Sequence, residues 1–357
     1  MRSELARTCG QLVVGGFKGV TLPASYLRAL SKGERGGAVL FKRNIPADVV
    51  GVAALTGEIA RTIGGDAPPL IAIDQEGGRV ARLGPPVLVL PPMLTIASLG
   101  DLDLAERLAH AQAAELRALG VTMNFSPVLD VNVCAENPVI GDRAFGDDAA
   151  TVSTFGEAWI RGLRSGGVLS CAKHFPGHGD TTKDSHFDLP RVTAVRARLD
   201  AVELPPFVAA VRAGVDSMMS AHVVYDALDA SQPATLSARV CTSLLREAIG
   251  FRGVLFSDDL EMKAISDRYG IEDATVGAIR AGCDAVLLCA SEDLQDRAHA
   301  ALVRRAEGDD EFRARVEASA DRLLAMRHRC PIPGAGAAGG VESRTLADEL
   351  ARRLEAR

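Results

Sequence analysis

The sequence predicts an α/β fold: a single (β/α)8 TIM-type barrel, with first strands that can be irregular, followed by a C-terminal helical tail. Three observations carry this. Eight short apolar runs alternate with stretches of helical spacing along the chain. One of them, Val168 to Ala172, is too short for a typical helix and too apolar for a loop, and reads as a strand enclosed on both faces. The carboxyl ends of the runs repeatedly carry charged residues, a count and a polarity that favour a barrel over a doubly wound sheet. No repeat of fixed period underlies the alternation.

In order, Gln11 to Phe17 is a first strand, and Ala24 to Ser31 can form one or two turns of helix. Ala38 to Phe41 follows Gly36 and Gly37 as a second strand. Val49, Val52, Leu55 and Ile59 give Pro46 to Ile63 helical spacing. Pro69 to Ile73 is a third strand, and it runs straight into Asp74-Gln75-Glu76-Gly77-Gly78-Arg79-Val80-Ala81-Arg82. Past the proline-rich segment Pro85 to Pro92, Leu102 to Leu119 is an amphipathic helix stopped by Gly120. Val121 to Phe125 is a fourth strand leading into Ser126 to Asn132, and the long loop beyond, carrying Glu136 and Arg143, runs to a helix at Thr151 to Arg164. The fifth strand is Val168 to Ala172. Pro205 to Ala213, Ser243 to Ile249 and Ala274 to Ala281 are helical; between and after them lie the strands Ser217 to His222, Gly253 to Ser257 and Ala285 to Cys289. Helices near Glu292 to Glu307 and Glu311 to Arg327 close the barrel unit, taken as 1–330. Residues 331–342 read as a Pro/Gly/Ala-rich linker, and 343–357 as a charged helical tail that is either mobile or docked on a neighbouring subunit.

Composition sets limits on function. At 357 residues and 47% hydrophobic content, the chain can fill one large α/β domain or two ordinary ones. Aromatic residues make up 4%, so the core must be built from Val, Leu, Ile and Ala. A net charge of -6 argues against nucleic acid as a partner, because phosphate binding wants a basic surface. The seven cysteines are scattered, odd in number and mostly set in apolar runs, which fits reduced core thiols in a cytoplasmic protein. The N-terminus carries an early acid and lacks the apolar segment of a signal peptide. No stretch reaches the ~18 apolar residues of a membrane span.

The chemistry concentrates in Lys173-His174-Phe175-Pro176-Gly177-His178-Gly179-Asp180-Thr181-Thr182-Lys183-Asp184-Ser185-His186, which holds three of the seven histidines in fourteen residues. The strand before it delivers Lys173 and His174 to a rim, and Gly177 and Gly179 permit backbone angles closed to other residues. Asp184 and His186 are one residue apart, so in an extended segment both side chains point the same way. A carboxylate there can accept the imidazole proton and raise the histidine's basicity, which makes a general acid/base pair. Asp258 ends the seventh strand, where barrel enzymes place catalytic groups. Its neighbour Asp259 points elsewhere if the strand continues, or caps the next helix. A retaining glycosidase needs a nucleophilic carboxylate opposite a proton donor, and Asp258 with His186 can fill those two roles. Asp74, Arg82 and Arg143 complete a polar ring, an acceptor for sugar hydroxyls and two forked donors.

The motif at Lys173 to His186, with Ile73-Asp74-Gln75-Glu76-Gly77-Gly78-Arg79-Val80 and Phe256-Ser257-Asp258-Asp259-Leu260, resembles glycoside hydrolase family 3, most closely its NagZ-type β-N-acetylglucosaminidases. The resemblance runs from Gln11 to about Cys289 and leaves out the tail after Pro331. It implies a single barrel and a retaining mechanism, with Asp258 as nucleophile and His186 as acid/base oriented by Asp184. It implies that Asp74, Arg82, Arg143, Lys173 and His174 bind a terminal N-acetylglucosamine. It further implies release of that sugar from muropeptide fragments in the cytoplasm during cell-wall recycling, with no cofactor and no metal. A rival from another class is a metal-dependent hydrolase using His174, His178, Asp180, Asp184 and His186. That reading leaves Asp258 without a role and puts the cation Lys173 beside the ligands. A non-catalytic sugar-binding barrel and a phosphorolytic variant of the glycosidase are the remaining alternatives.

Overall fold

The computed structural model describes residues 2–64, 67–182, 184–185, 188–331 and 340–356. Eight parallel strands close into a barrel: β1 (Val13–Gly15), β2 (Gly37–Leu40), β3 (Leu70–Ile73), β4 (Met123–Asn124), β5 (Leu169–Phe175), β6 (Ser217–Ser220), β7 (Val254–Asp259) and β8 (Ala285–Leu288). They stand around it in chain order, β8 pairing back to β1. Helices outside the ring cover every strand, which is why nearly all strand residues are buried and most are apolar. The first strands are regular: β1 pairs in parallel with both β8 and β2.

Irregularity falls instead on β5 and β7. One extra residue sits in β5 between the partners of Met219 and Ser220, and one in β7 between the partners of Ala285 and Leu287. A strand of period two sends neighbouring side chains to opposite faces, and a bulge cancels that alternation locally. Each of the two bulges therefore lets a pair of consecutive residues face the barrel mouth.

Other differences from the sequence prediction have local causes. β4 is shorter than Val121 to Phe125, because side chains take part in its pairing: Thr122 Oγ1 accepts from the Ile71 amide at 2.9 Å, and Asn124 Oδ1 from the Gln75 amide at 3.0 Å. A helix, Arg2–Gln11, precedes β1 and packs on the helices Glu292–Gly308 and Asp310–Arg329 with Cys9 buried. The helix expected at Ser243 to Ile249 is a wider-wound turn set, a π-helix over Arg239–Ala248. A two-stranded parallel ribbon, Arg191–Val192 with Val224–Tyr225, was not foreseen. The seven cysteines are free thiols, and all but Cys134 are buried.

The tail helix, Val341–Glu355, takes in two residues assigned to the linker and docks on its own chain rather than on a neighbour. Leu346 and Leu350, one turn apart, bury against the helix Leu102–Ala118. Beside them Arg107 holds Glu349 in a two-pronged pair, both contacts 3.1 Å, and Arg353 pairs with Asp101.

Candidate active site

The carboxyl ends of the strands surround a cavity of about 240 Å³. Asp74, Arg82, Arg143, Lys173, His174 and Asp258 all line it, so the structure brings together six of the eight residues singled out from sequence. Asp184 lies in the loop beyond β5. There the Asp188 amide donates to the Asp184 carbonyl at 3.0 Å. His186 lies outside the described residues.

Two bulged strand ends supply adjacent pairs. Lys173 and His174 on β5 both reach the cavity, as do Asp258 and Asp259 on β7. Asp259 therefore does not point elsewhere and does not cap a helix; its Oδ1 accepts from the amides of Glu261 (3.1 Å) and Cys289 (3.2 Å). Burial lifts its pKa to about 7, helped by the nearby Glu261 and Asp258 carboxylates, while those amides pull the other way. Asp258 is half-buried, with Oδ1 accepting the Asp259 amide at 2.8 Å.

Opposite Asp258 stands a net of alternating charge. Lys173 Nζ donates to Asp74 Oδ1 at 2.8 Å and lies 2.5 Å from Glu76 Oε1. Arg82 Nη2 donates to Asp74 Oδ2 at 2.9 Å, and Arg143 grips Glu76 with two 2.9 Å bonds. Burial alone would push both acids up. Lys173 and Arg82 hold Asp74 below its ordinary value, and Arg143 and Lys173 do the same for Glu76. The Nε of Arg82 is buried without a hydrogen-bond partner among the described residues.

Two acids went unassigned at the level of sequence. Glu76 is the shared anchor of Lys173 and Arg143, and its signal was available: residues 74 and 76 are two apart in extended chain and share a face. Asp130 is completely buried beyond β4. Its carboxylate accepts from His174 Nδ1 at 2.7 Å and from the His178 amide at 2.6 Å, which leaves the other nitrogen of His174 free of that bond. Burial opposes its ionisation, but the two histidines outweigh that and keep its pKa low. His178 also reaches the cavity, its Nδ1 taking the Thr181 hydroxyl at 2.8 Å and its Nε2 lying 3.2 Å from Ser185 Oγ. Of the two loop glycines, Gly177 does need its angle, φ 130°. Gly179 needs space: a Cβ would lie 1.7 Å from the Val131 carbonyl oxygen.

A parallel barrel that gathers a half-buried carboxylate, a ring of forked cations and ionised acceptors at its mouth defines the class of barrel hydrolases acting on hydroxyl-rich ligands. Comparison with known proteins narrows the class. The family model described as the glycosyl hydrolase family 3 N terminal domain matches residues 9–326. A beta-hexosaminidase of Xylella fastidiosa (strain M23) is 40% identical over 298 residues, covering 81% of this chain and 87% of the relative. The structure of a family 3 beta-N-acetylglucosaminidase from Paenibacillus sp. str. FPU-7 superposes with a TM-score of 0.93 at 39% identity, over 98% of this chain and 68% of that one. NagZ from Neisseria gonorrhoeae in complex with N-trifluoroacetyl-D-glucosamine superposes at 0.77 with 31% identity, over 96% of this chain and 98% of that one. The chain belongs to glycoside hydrolase family 3. Among the described residues, no helix is long and apolar enough to cross a membrane.

Proposed function

We propose that this glycoside hydrolase is a retaining exo-β-N-acetylglucosaminidase that releases terminal N-acetylglucosamine from muropeptides in the cytoplasm, as a step of cell-wall recycling. The observation that carries the reading is Asp258, a strand-end carboxylate on a mouth cavity otherwise ringed by Asp74, Arg82, Arg143, Lys173 and His174. Support for the sugar comes from what the relatives are called and from the glucosamine derivative bound to the Neisseria protein.

In this mechanism Asp258 attacks the anomeric carbon while His186 gives its proton to the departing glycosidic oxygen. The bond to the aglycone breaks as the bond to Asp258 forms. The same imidazole then takes a proton from water, which displaces Asp258 and restores the original configuration. Asp184 accepts the second N–H of His186 and stabilises the imidazolium. Asp74, kept ionised by Lys173 and Arg82, accepts sugar hydroxyls.

A panel of aryl β-glycosides tests the activity. The N-acetylglucosaminide should be cleaved with a kcat/KM at least about 100-fold above the glucoside and xyloside, a difference a site built to hydrogen-bond the acetamido group supplies. Rates and products should be the same with added phosphate and with a chelator. Preference for glucose, a sugar 1-phosphate product, or chelator-sensitive activity would each overturn a named part of the proposal.

A further inference from the structure

The opposite end of the barrel holds a second cleft, of about 370 Å³, formed where the helices Arg239–Ala248, Ile271–Ala281 and Asp310–Arg329 meet below β7 and β8. Five of its lining residues are arginines, Arg246, Arg252, Arg280, Arg315 and Arg322, against one acid, Glu247. In a chain of net charge -6 such a concentration is not a general trend of the surface.

The centre of the cluster is Asp284, fully buried just before β8. It accepts from Arg246 Nη2 at 2.5 Å, Arg322 Nη1 at 3.1 Å and Arg315 Nη2 at 3.3 Å. Ser319 Oγ at 3.1 Å and the Leu255 amide fill its remaining capacity. Three guanidinium groups share one carboxylate, so two positive charges are left over. Arg315, Ser319 and Arg322 stand at i, i+4 and i+7 on one helix face and so present the surplus in one direction. Arg280 is drawn off by Asp309 at 3.2 Å. Arg252 is exposed and, among the described residues, has no hydrogen bond or ion pair. Burial first, and then Arg322 and Arg315, pull the pKa of Arg246 below its ordinary value despite Asp284, the response of a cation in a site short of negative charge.

We propose that this cleft binds a small phosphorylated anion, its phosphate held by Arg252, Arg315 and Arg322. Forked guanidinium groups match the oxygens of a phosphate. The volume sits at the lower end of the ~300–1,000 Å³ typical of small-molecule sites, room for a phosphate and one ring. Phe251, buried beneath the cleft, carries the Arg246 guanidinium over its ring at 5.0 Å and so fixes that cation at the floor. The site is remote from the mouth, since it lies at the amino ends of the strands.

Calorimetric titration of the intact protein tests this, with glucose 6-phosphate, inorganic phosphate and glucose compared at constant ionic strength. Glucose 6-phosphate should bind saturably at one site and glucose should not bind there. Inorganic phosphate at least about tenfold weaker would identify a sugar phosphate as the ligand; equal affinity would identify free phosphate. Arg252→Gln and Arg322→Gln should each weaken binding about tenfold, a change of ~1.4 kcal/mol, and leave turnover of the aryl N-acetylglucosaminide unchanged. Arg252 is exposed, so its variant folds. No saturable phosphate binding, or binding that both variants keep and saturating N-acetylglucosamine displaces, would overturn the site.

Discussion

Among the described residues, each end of the barrel buries one carboxylate completely, Asp130 at the mouth and Asp284 at the floor, and the two are used differently. Asp130 faces the imidazole of His174 and the backbone of His178, so its charge orients a ring that reaches the cavity. Asp284 faces three arginines from two helices and the Leu255 amide of β7, so its charge ties the outer layer to the barrel. The difference teaches what separates a site from a clamp. At the mouth, ionic partners are nearly balanced yet polar atoms such as Arg82 Nε stay uncommitted; at the floor, one anion is saturated and the excess is cationic.

The comparison can be broken by removing each acid. Asp284→Ala strands a buried guanidinium and an amide, and should cost about 3–5 kcal/mol of unfolding free energy, read by urea denaturation. The specific activity of the folded fraction should be unchanged. Asp130→Ala should cost less, about 2–3 kcal/mol for its unsatisfied donors, but should lower kcat/KM on the order of 10²-fold, since second-layer partners of an active histidine have effects of that size. Equal activity losses in the two variants would erase the distinction.

Lys173→Met sharpens the account of the mouth. The cation separates Asp74 from Glu76, and without it both carboxyls hold protons more tightly. A fall in kcat/KM on the order of 10²-fold is expected, with the acid limb of the pH–rate profile moved to higher pH. An acid limb that stays in place would show that Asp74 and Glu76 are not held ionised by Lys173.

The smallest effects are in pH dependence. Asp259 has its pKa raised from 3.8 to about 7 in the fold, so its contribution to stability is full below 3.8 and is lost as pH rises through 7. His178 has its pKa lowered from 6.5 to about 4, chiefly by burial and then by His174, against Asp130. Its contribution is present above 6.5 and is lost as pH falls toward 4. The two slopes oppose each other across one window, so the variants reveal them better than the native curve. Asp259→Asn should gain in urea midpoint relative to the native protein as pH rises from about 4 to about 7. His178→Gln should gain on it in the acid direction. A constant offset at all pH values would contradict the assigned shifts.

Much of this was legible in the sequence, because eight apolar runs and their charged ends follow directly from a parallel barrel's double burial. Pro205–Ala213 has the bounds that its spacing predicts. The two bulges were not legible: an extra residue in β5 or β7 depends on pairing with β6 and β8, which no local pattern records. For that reason Asp259 was misplaced. The helix Arg2–Gln11 escaped because it is short and mostly polar, and it is held by packing on two later helices rather than by its own periodicity. Asp130 carries no local signal, since its partners His174 and His178 lie more than forty residues on.

The central claim is that Asp258 is the nucleophile, and covalent trapping tests it most directly. A 5-fluoro derivative of N-acetylglucosaminyl fluoride keeps the acetamido group while slowing breakdown of the glycosyl intermediate. Incubation with the native enzyme, digestion and peptide mass spectrometry should find one sugar attached, on Asp258, and no label on an Asp258→Asn variant. A label on Asp74, Asp259 or Glu261, or the absence of any covalent species together with an inverted anomeric product by NMR, would contradict the account.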